Sequence, residues 1–306
     1  MKIGIVGSGA VGGYLGALLK KAGQDVVFLA RGKHLEAMKA NGLTILTDNE
    51  EFVVDGTFTN NVHALMDAEL IIFSVKSTDT LTMAEKIKAL GNDQAVILTV
   101  QNGVDNEEIL SEIFGRKRIL SCATYMSSSV ERPGVIKKSG VVKLFIGALH
   151  EESRQVCEQI CDIFNGAGID AIVTDDIAAS KWRKAVWNAT FNPIAALSLA
   201  NVGEILDDKE LRHTAETVCR EVLQIASKNG ISLGDKMFDV TFRQAELART
   251  HNPSMLQDRL NNKPMEVESL IGYFVKLARK LNVETPALQV LYSHLKFINQ
   301  KISSKK

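Results

Sequence analysis

The apolar positions of this chain follow two patterns, and the switch between them falls a little past its middle. In the first part, short apolar runs alternate with stretches of helical spacing. Residues 2–6, 25–30, 70–75 and 95–100 are such runs, and the last two, LIIFSV and AVILTV, are nearly unbroken. A strand that is apolar on both faces belongs in a parallel sheet covered on both sides. Residues 35–40 carry a helical pattern, and 43–46 with 52–54 read as a short hairpin around the polar TDNE. A further strand is expected at 119–123 and a strand pair at 130–136 and 141–147, arranged around KKSG. An amphipathic helix at 152–164 and a last short strand at 169–173 follow. Beyond Thr174-Asp175-Asp176 only long segments of helical period remain, broken by Gly and Pro. The pattern predicts an α/β N-terminal domain, 1–174, and an all-helical C-terminal domain, 175–306.

The sharpest local signal is the opening stretch MKIGIVGSGAVGGYLG. Its strand breaks into Gly7, Ser8, Gly9, Ala10, Val11 and Gly12, and a helical pattern follows to Ala22. In G-x-G-x-x-G placed between strand and helix, each glycine has its own physical reason. Gly7 permits the tight turn, Gly9 lets a pyrophosphate approach the backbone, and Gly12 allows the helix to pack close on the strand. The helix then aims unpaired N–H groups and the positive end of its dipole at the phosphates. These six residues are the candidate dinucleotide turn; a plain strand–helix connection is the alternative.

In such a unit the end of the second strand reads the adenosine ribose. An acid there selects NAD, whereas an arginine accommodates the 2′-phosphate of NADP. Here the strand runs into Ala30-Arg31-Gly32-Lys33 with no acid, which favours NADP(H), with Arg31 as the phosphate partner rather than a merely solvated side chain. Ligands of open parallel sheets bind beyond the carboxyl ends of the strands. Lys76 and Asn102, which follow the 70–75 and 95–100 runs, are therefore expected at the cofactor–substrate crevice. Ordinary turn chemistry is the competing reading of Asn102-Gly103.

Composition narrows the partners. Across 306 residues, 36 Lys and Arg balance 36 Asp and Glu, so no nucleic-acid or anionic-membrane partner is expected. The terminal KISSKK reads as a solvated tail. No apolar run approaches the roughly 20 residues of a membrane span, and a strand at the first residues leaves no room for a signal peptide. Cys122, Cys157, Cys161 and Cys219 show neither CxxC nor zinc spacing, which predicts reduced, mostly buried thiols and no metal. The expected compartment is the cytoplasm.

The helical half carries a second constellation. In AASKWRKAVWNATFNP, Lys184, Asn188 and Asn192 stand four apart and form one polar stripe, while Trp182, Val186, Trp187 and Phe191 fill the rest. Pro193 disfavours helix at Asn192, so the stripe is expected to run to the helix end. A buried Asn must be hydrogen-bonded, and a solvent-facing stripe is the bland alternative. Asn252 with Pro253 reads as a helix cap and first-turn pair ahead of Ser254. Glu266 opens another helix, whose apolar positions 267, 270, 271, 274, 277, 278 and 281 keep core spacing. It could serve that helix's dipole alone. The last helix starts at Thr285-Pro286.

Taken together, GSGAVGGYLGALL, the VK at Val75-Lys76, QNG at 101–103, WRKAVWNATFNP, and SMLQD followed by MEVE resemble, in order, the motifs of the ketopantoate reductase (2-dehydropantoate 2-reductase) family. The resemblance covers essentially the whole chain. It implies a Rossmann-like domain, an all-helical domain, and an active site in the cleft between them. Carried over position by position, Lys184 would be the catalytic lysine and Glu266 its acidic partner. Asn102 would position lysine and cofactor, and Asn188, Asn192 and Ser254 would hold the substrate. Two departures stand out: Asp79 replaces a usual glutamine, and Met265-Glu266-Val267-Glu268 replaces T-E-I-D. The implied reaction is NADPH-dependent reduction of ketopantoate to pantoate, on the way to pantothenate and coenzyme A, by an enzyme that could be a homodimer. A reductase of another branched 2-oxo acid, or a non-catalytic NADP(H) sensor, are the alternatives.

Overall fold

The computed structural model describes residues 1–304, which divide into two compact units, the first Met1–Ile177 and the second from Ala178 onward. The last two lysines of KISSKK lie outside the described residues.

In the first unit, the described strands are β1 (Lys2–Val6), β2 (Asp25–Leu29), β3 (Leu43–Leu46), β4 (Glu51–Val54), β5 (Thr57–Thr59), β6 (Leu70–Phe73), β7 (Val96–Thr99), β8 (Ile119–Arg132), β9 (Val135–Ala148) and β10 (Ala171–Val173). They form one sheet in the order β4-β3-β9-β8-β7-β6-β1-β2-β5, with β10 beside β9. From β5 through β8 neighbouring strands are parallel. Helices α1 (Ala10–Lys21), α2 (Gly32–Asn41), α3 (Thr80–Lys88), α4 (Asn106–Phe114) and α5 (Arg154–Gly166) complete the unit. The unbroken apolar runs follow from two cores. Ile3, Ile5, Leu70, Ile72 and Leu98 enter one, and Ile71, Phe73 and Ile97 alternate with them into the other.

The connections of this Rossmann-like sheet fix where a ligand can lie. From β1 the chain moves to β2 on one side, and later reaches β6 on the other. The order reverses at β1, so the carboxyl end of β1 is the topological switch point.

Two local expectations change. The β8–β9 turn falls at Pro133-Gly134, where Gly134 has φ 78°, and not at KKSG. Proline with a left-handed glycine supplies the tighter turn. The KKSG glycine, Gly140 at φ 68°, instead marks an irregularity inside β9, where the register against β8 shifts between Tyr125 and Ser127. The third strand of the 43–59 region, β5, is three residues long, too short to carry a period.

The second unit contains α6 (Ile177–Ser198, its first residue belonging to the first unit), α7 (Val202–Asp207), α8 (Lys209–Lys228), α9 (Met237–Leu247), α10 (Ser254–Leu260), α11 (Tyr273–Lys280) and α12 (Pro286–Ser303). Helix α6 does not stop at Asn192 but runs through Pro193 to Ser198. Proline removes the hydrogen bond to the Ala189 carbonyl. Burial of Phe191, Ile194, Ala195 and Ala196 on the continuing helix outweighs that loss. Trp182 of α6 meets Phe274 of α11 edge-on, ring centres 5.4 Å apart. Between Glu266 and α11 the expected α-helical period is interrupted by a π turn, Glu268–Gly272. The first half of KISSKK is also less loose than read: Lys301 to Ser303 belong to α12, with Ile302 buried. Among the described residues, no helix is long and apolar enough to cross a membrane.

Candidate active site

The glycines of the first turn separate by cause. Gly7 has φ 98°, and a Cβ there would fall 2.8 Å from the Val75 nitrogen. Gly12 faces Ser74 and the Gly7 carbonyl, so a side chain would push α1 off the sheet. Gly9 is different. Its φ is −77°, open to any residue, and a Cβ built on it meets no atom within 4 Å. Nothing inside the protein requires glycine there, and the open space above the turn is where a pyrophosphate could approach the backbone. Beside it, the Ser8 hydroxyl is buried without a hydrogen-bond partner. A buried unpaired hydroxyl is costly, and a phosphate oxygen over this turn would satisfy it. Ala10 and Val11 start α1, presenting its N-terminus to the same place.

Three more expected residues reach this sheet edge because their strands are parallel. Arg31 follows β2 and caps α2 with extended backbone. Lys76 follows β6, exposed at the start of a 3-10 turn. Asn102 follows β7 and is half-buried. A polar network that sequence reading missed ties the last two loops together. Gln101 donates to the Val75 carbonyl (2.9 Å) and to Thr80 Oγ1 (2.8 Å). Thr80 donates to Asn106 Oδ1, and Asn106 donates to the Asn102 carbonyl, each at 2.8 Å. Thr80 and Asn106 are fully buried.

Two further residues brace the glycine turn. Ser74 Oγ donates to the Gly7 carbonyl at 2.7 Å. His34, on α2, lies 2.9 Å by Nε2 from the Ser8 carbonyl and 3.1 Å by Nδ1 from the Gly134 N–H. A backbone N–H can only donate, so Nδ1 accepts and Nε2 carries the proton shared with Ser8. Burial holds this imidazole below its ordinary pKa, against the opposing pull of the Ser8 hydrogen bond. Nothing in the spacing of GKHLEAMKAN marks His34; only its long-range contacts do.

In the second unit, Lys184, Asn188 and Asn192 lie one turn apart on α6. Lys184 and Asn188 are half-buried, and Asn192 is 1% exposed, so the stripe is not a solvated face. Asn192 Oδ1 accepts from the Met255 N–H (3.0 Å) and from Ser254 Oγ (3.2 Å), and its Nδ2 donates to Asn188 Oδ1 (3.3 Å). The Met255 N–H needs an acceptor, which fixes the orientation of the amide. Asn192 therefore caps α10 from a distance. The expected local cap does not form: α10 starts at Ser254, and Asn252 contributes only its carbonyl, to Gln257.

Glu266 is half-buried, and its carbonyl accepts from Leu270 N–H at 3.1 Å as the π turn begins. Glu268 is committed elsewhere, accepting from Tyr292 and Lys276 at 2.8 Å each. π turns are rare and concentrate at functional sites, and this one begins at Glu268, two residues after Glu266. All four cysteines are buried, and among the described residues none forms a disulfide. Among the described residues, no group of three or more His, Cys, Asp or Glu is arranged to hold a metal.

The family model described as ketopantoate reductase PanE/ApbA matches residues 3–151, and its C-terminal counterpart matches 176–299. The 2-dehydropantoate 2-reductase of Pyrococcus horikoshii is 32% identical over 97% of both chains. A PanE/ApbA family ketopantoate reductase from Ralstonia eutropha superposes with TM-score 0.93, at 28% identity, covering 99% of this chain and 100% of that one. D-mandelate dehydrogenase, solved with NADH and anilino(oxo)acetate, shares the fold at 23% identity and TM-score 0.92, covering 99% and 100%. The chain belongs to the ketopantoate reductase family.

Proposed function

We propose that this chain is an NADPH-dependent 2-dehydropantoate 2-reductase, converting ketopantoate to pantoate for pantothenate and coenzyme A synthesis in the cytoplasm. The observation that carries it is the Asn192 bracket. One buried amide ties the lysine-bearing helix to the Ser254 turn, so groups able to hold a 2-oxo acid are fixed on a rigid element.

The glycine turn, with the Ser8 hydroxyl and the N-terminus of α1, would hold the pyrophosphate, and Arg31 the 2′-phosphate. Lys76 and Asn102 would complete the cofactor side. When bound, the reduced nicotinamide supplies the hydride. This chain's own residues manage the rest. As the keto carbon is reduced, negative charge grows on its oxygen. The Lys184 ammonium stabilises that charge and donates the proton that completes the hydroxyl. Glu266 is its acidic partner. Ser254, by turning its O–H from Asn192 to the substrate, and Asn188 hold the carboxylate and hydroxyl, and Asn192, whose oxygen also holds the Met255 N–H, acts by positioning both.

The test is NADPH oxidation with a panel of branched 2-oxo acids, on the native chain and on Lys184→Ala. A lysine that meets the developing alkoxide acts in the transition state, so its loss should lower kcat by about 10²–10³-fold with NADPH affinity unchanged. A raised KM with near-normal kcat would make Lys184 a carboxylate anchor instead. Ketopantoate turning over no better than other branched acids would move the substrate, and NADPH binding without turnover of any acid would favour a sensor.

A further inference from the structure

Asp79 stands at the N-terminus of α3, where an aspartate ordinarily accepts hydrogen bonds from its own helix. It makes no such cap. Its carboxylate turns instead to Arg31, with Oδ2 2.9 Å from Nη2. The two residues come from loops on opposite sides of β1: Arg31 follows β2, Asp79 follows β6, and β1 lies between those strands. The ion pair therefore spans the carboxyl end of β1, where the glycine turn begins. Arg31 is 85% exposed and Asp79 35%. An ion pair so open to water adds little to stability, so the fold does not account for it.

The effect on a ligand is larger. We propose that Asp79 sets the cofactor preference of this chain by competing with the 2′-phosphate for Arg31. The inference rests on the reading above, that Arg31 meets that phosphate. A phosphate monoester beside Arg31 would bring up to two negative charges close to the Asp79 carboxylate, and would have to displace or share the hydrogen bond it now receives. NADH carries a hydroxyl in place of the phosphate and meets no such repulsion. Asp79 thus narrows the advantage that Arg31 gives NADPH, and its removal should widen it.

The experiment measures dissociation constants of NADPH and NADH by titration for the native chain, Asp79→Asn, Arg31→Ala and the double variant. Asp79→Asn keeps the shape and removes the charge. It should tighten NADPH about tenfold, the scale of two partly screened charge contacts at about 5 Å, and change NADH by less than about twofold. On the Arg31→Ala background the gain should shrink, because the competed group is gone. Unchanged or weaker NADPH binding in Asp79→Asn, while Arg31→Ala still weakens it, overturns this proposal alone. Selective loss of NADH affinity in Asp79→Asn also overturns it, making Asp79 a ribose-hydroxyl acceptor. If Arg31→Ala leaves NADPH affinity unchanged, the phosphate role of Arg31 fails first and takes the proposal with it.

Discussion

The candidate cofactor turn in the first unit is made of backbone: glycines, helix N–H groups and one serine hydroxyl set at the end of a buried strand. The polar cluster in the second unit is made of side chains, and its centre is a single buried asparagine shared by α6 and α10. The two materials couple recognition to stability differently. A backbone site exists as soon as the sheet forms, so a group can be placed in its space at little cost to the fold. A side-chain site is built from the packing contacts themselves, so losing one member weakens binding and folding together.

Gly9→Val tests the first half of that contrast and has the largest expected effect. The new side chain would enter space free of protein atoms. Stability should fall by at most about 1 kcal/mol, the difference in capping preference. NADPH affinity should fall by more than about 100-fold, corresponding to roughly 2.7 kcal/mol. Calorimetry and thermal unfolding on the same sample read both quantities. Unchanged affinity would leave Gly9 without a ligand role and dissolve the contrast.

Asn192→Ala tests the second half. It removes the acceptor for a buried N–H and leaves Asn188 and Ser254 without their link. The expected loss of stability is about 1–3 kcal/mol, the cost of an unsatisfied buried donor, together with a raised KM for the 2-oxo acid. Asn188 is half-buried, and Asn188→Ala should raise KM while costing less than about 1 kcal/mol in urea unfolding. If Asn192→Ala bound substrate poorly but unfolded like the native chain, the cluster would not be a packing element.

The same difference governs what could be read from residues alone. Backbone sites need glycine, and glycine at fixed offsets between a strand and a helix is a visible signature. The alternation of cores on both faces of β1, β6 and β7 was equally visible as unbroken apolar runs. The stripe on α6 was visible as spacing, but its spacing fitted a solvated face as well as a site. Only the burial of Asn192 separates the two. The passage of α6 through Pro193, the π turn after Glu266 and the Thr80–Gln101–Asn106 network were hidden because each depends on packing between segments distant in the chain. Local propensity gave the wrong stop at Pro193 because tertiary burial outweighed one lost hydrogen bond.

His34 is where the backbone site leans on a side chain, and it gives the smallest and most particular prediction. Its imidazole accepts from Gly134 and donates to Ser8, an arrangement that only the neutral ring can make. Protonating Nδ1 would set a second donor against the Gly134 N–H. Burial already holds the pKa below its free value, so the folded state favours the neutral form. The unfolded chain, titrating near 6.5, binds the proton more readily than the folded one just below that pH. The stabilisation is therefore complete above about pH 6.5 and is lost as pH falls towards the folded pKa, with a slope of up to about 1.4 kcal/mol per pH unit. His251 is depressed by burial as well, so the comparison must be between native chain and His34→Asn, which keeps His251. The difference in stability between the two should narrow as pH drops from 7 to 5, and NADPH affinity of the native chain should weaken over the same interval more than that of the variant. A pH-independent difference would mean that His34 packs beside the turn without holding it, and the first unit's site would then be built from backbone and Ser74 alone.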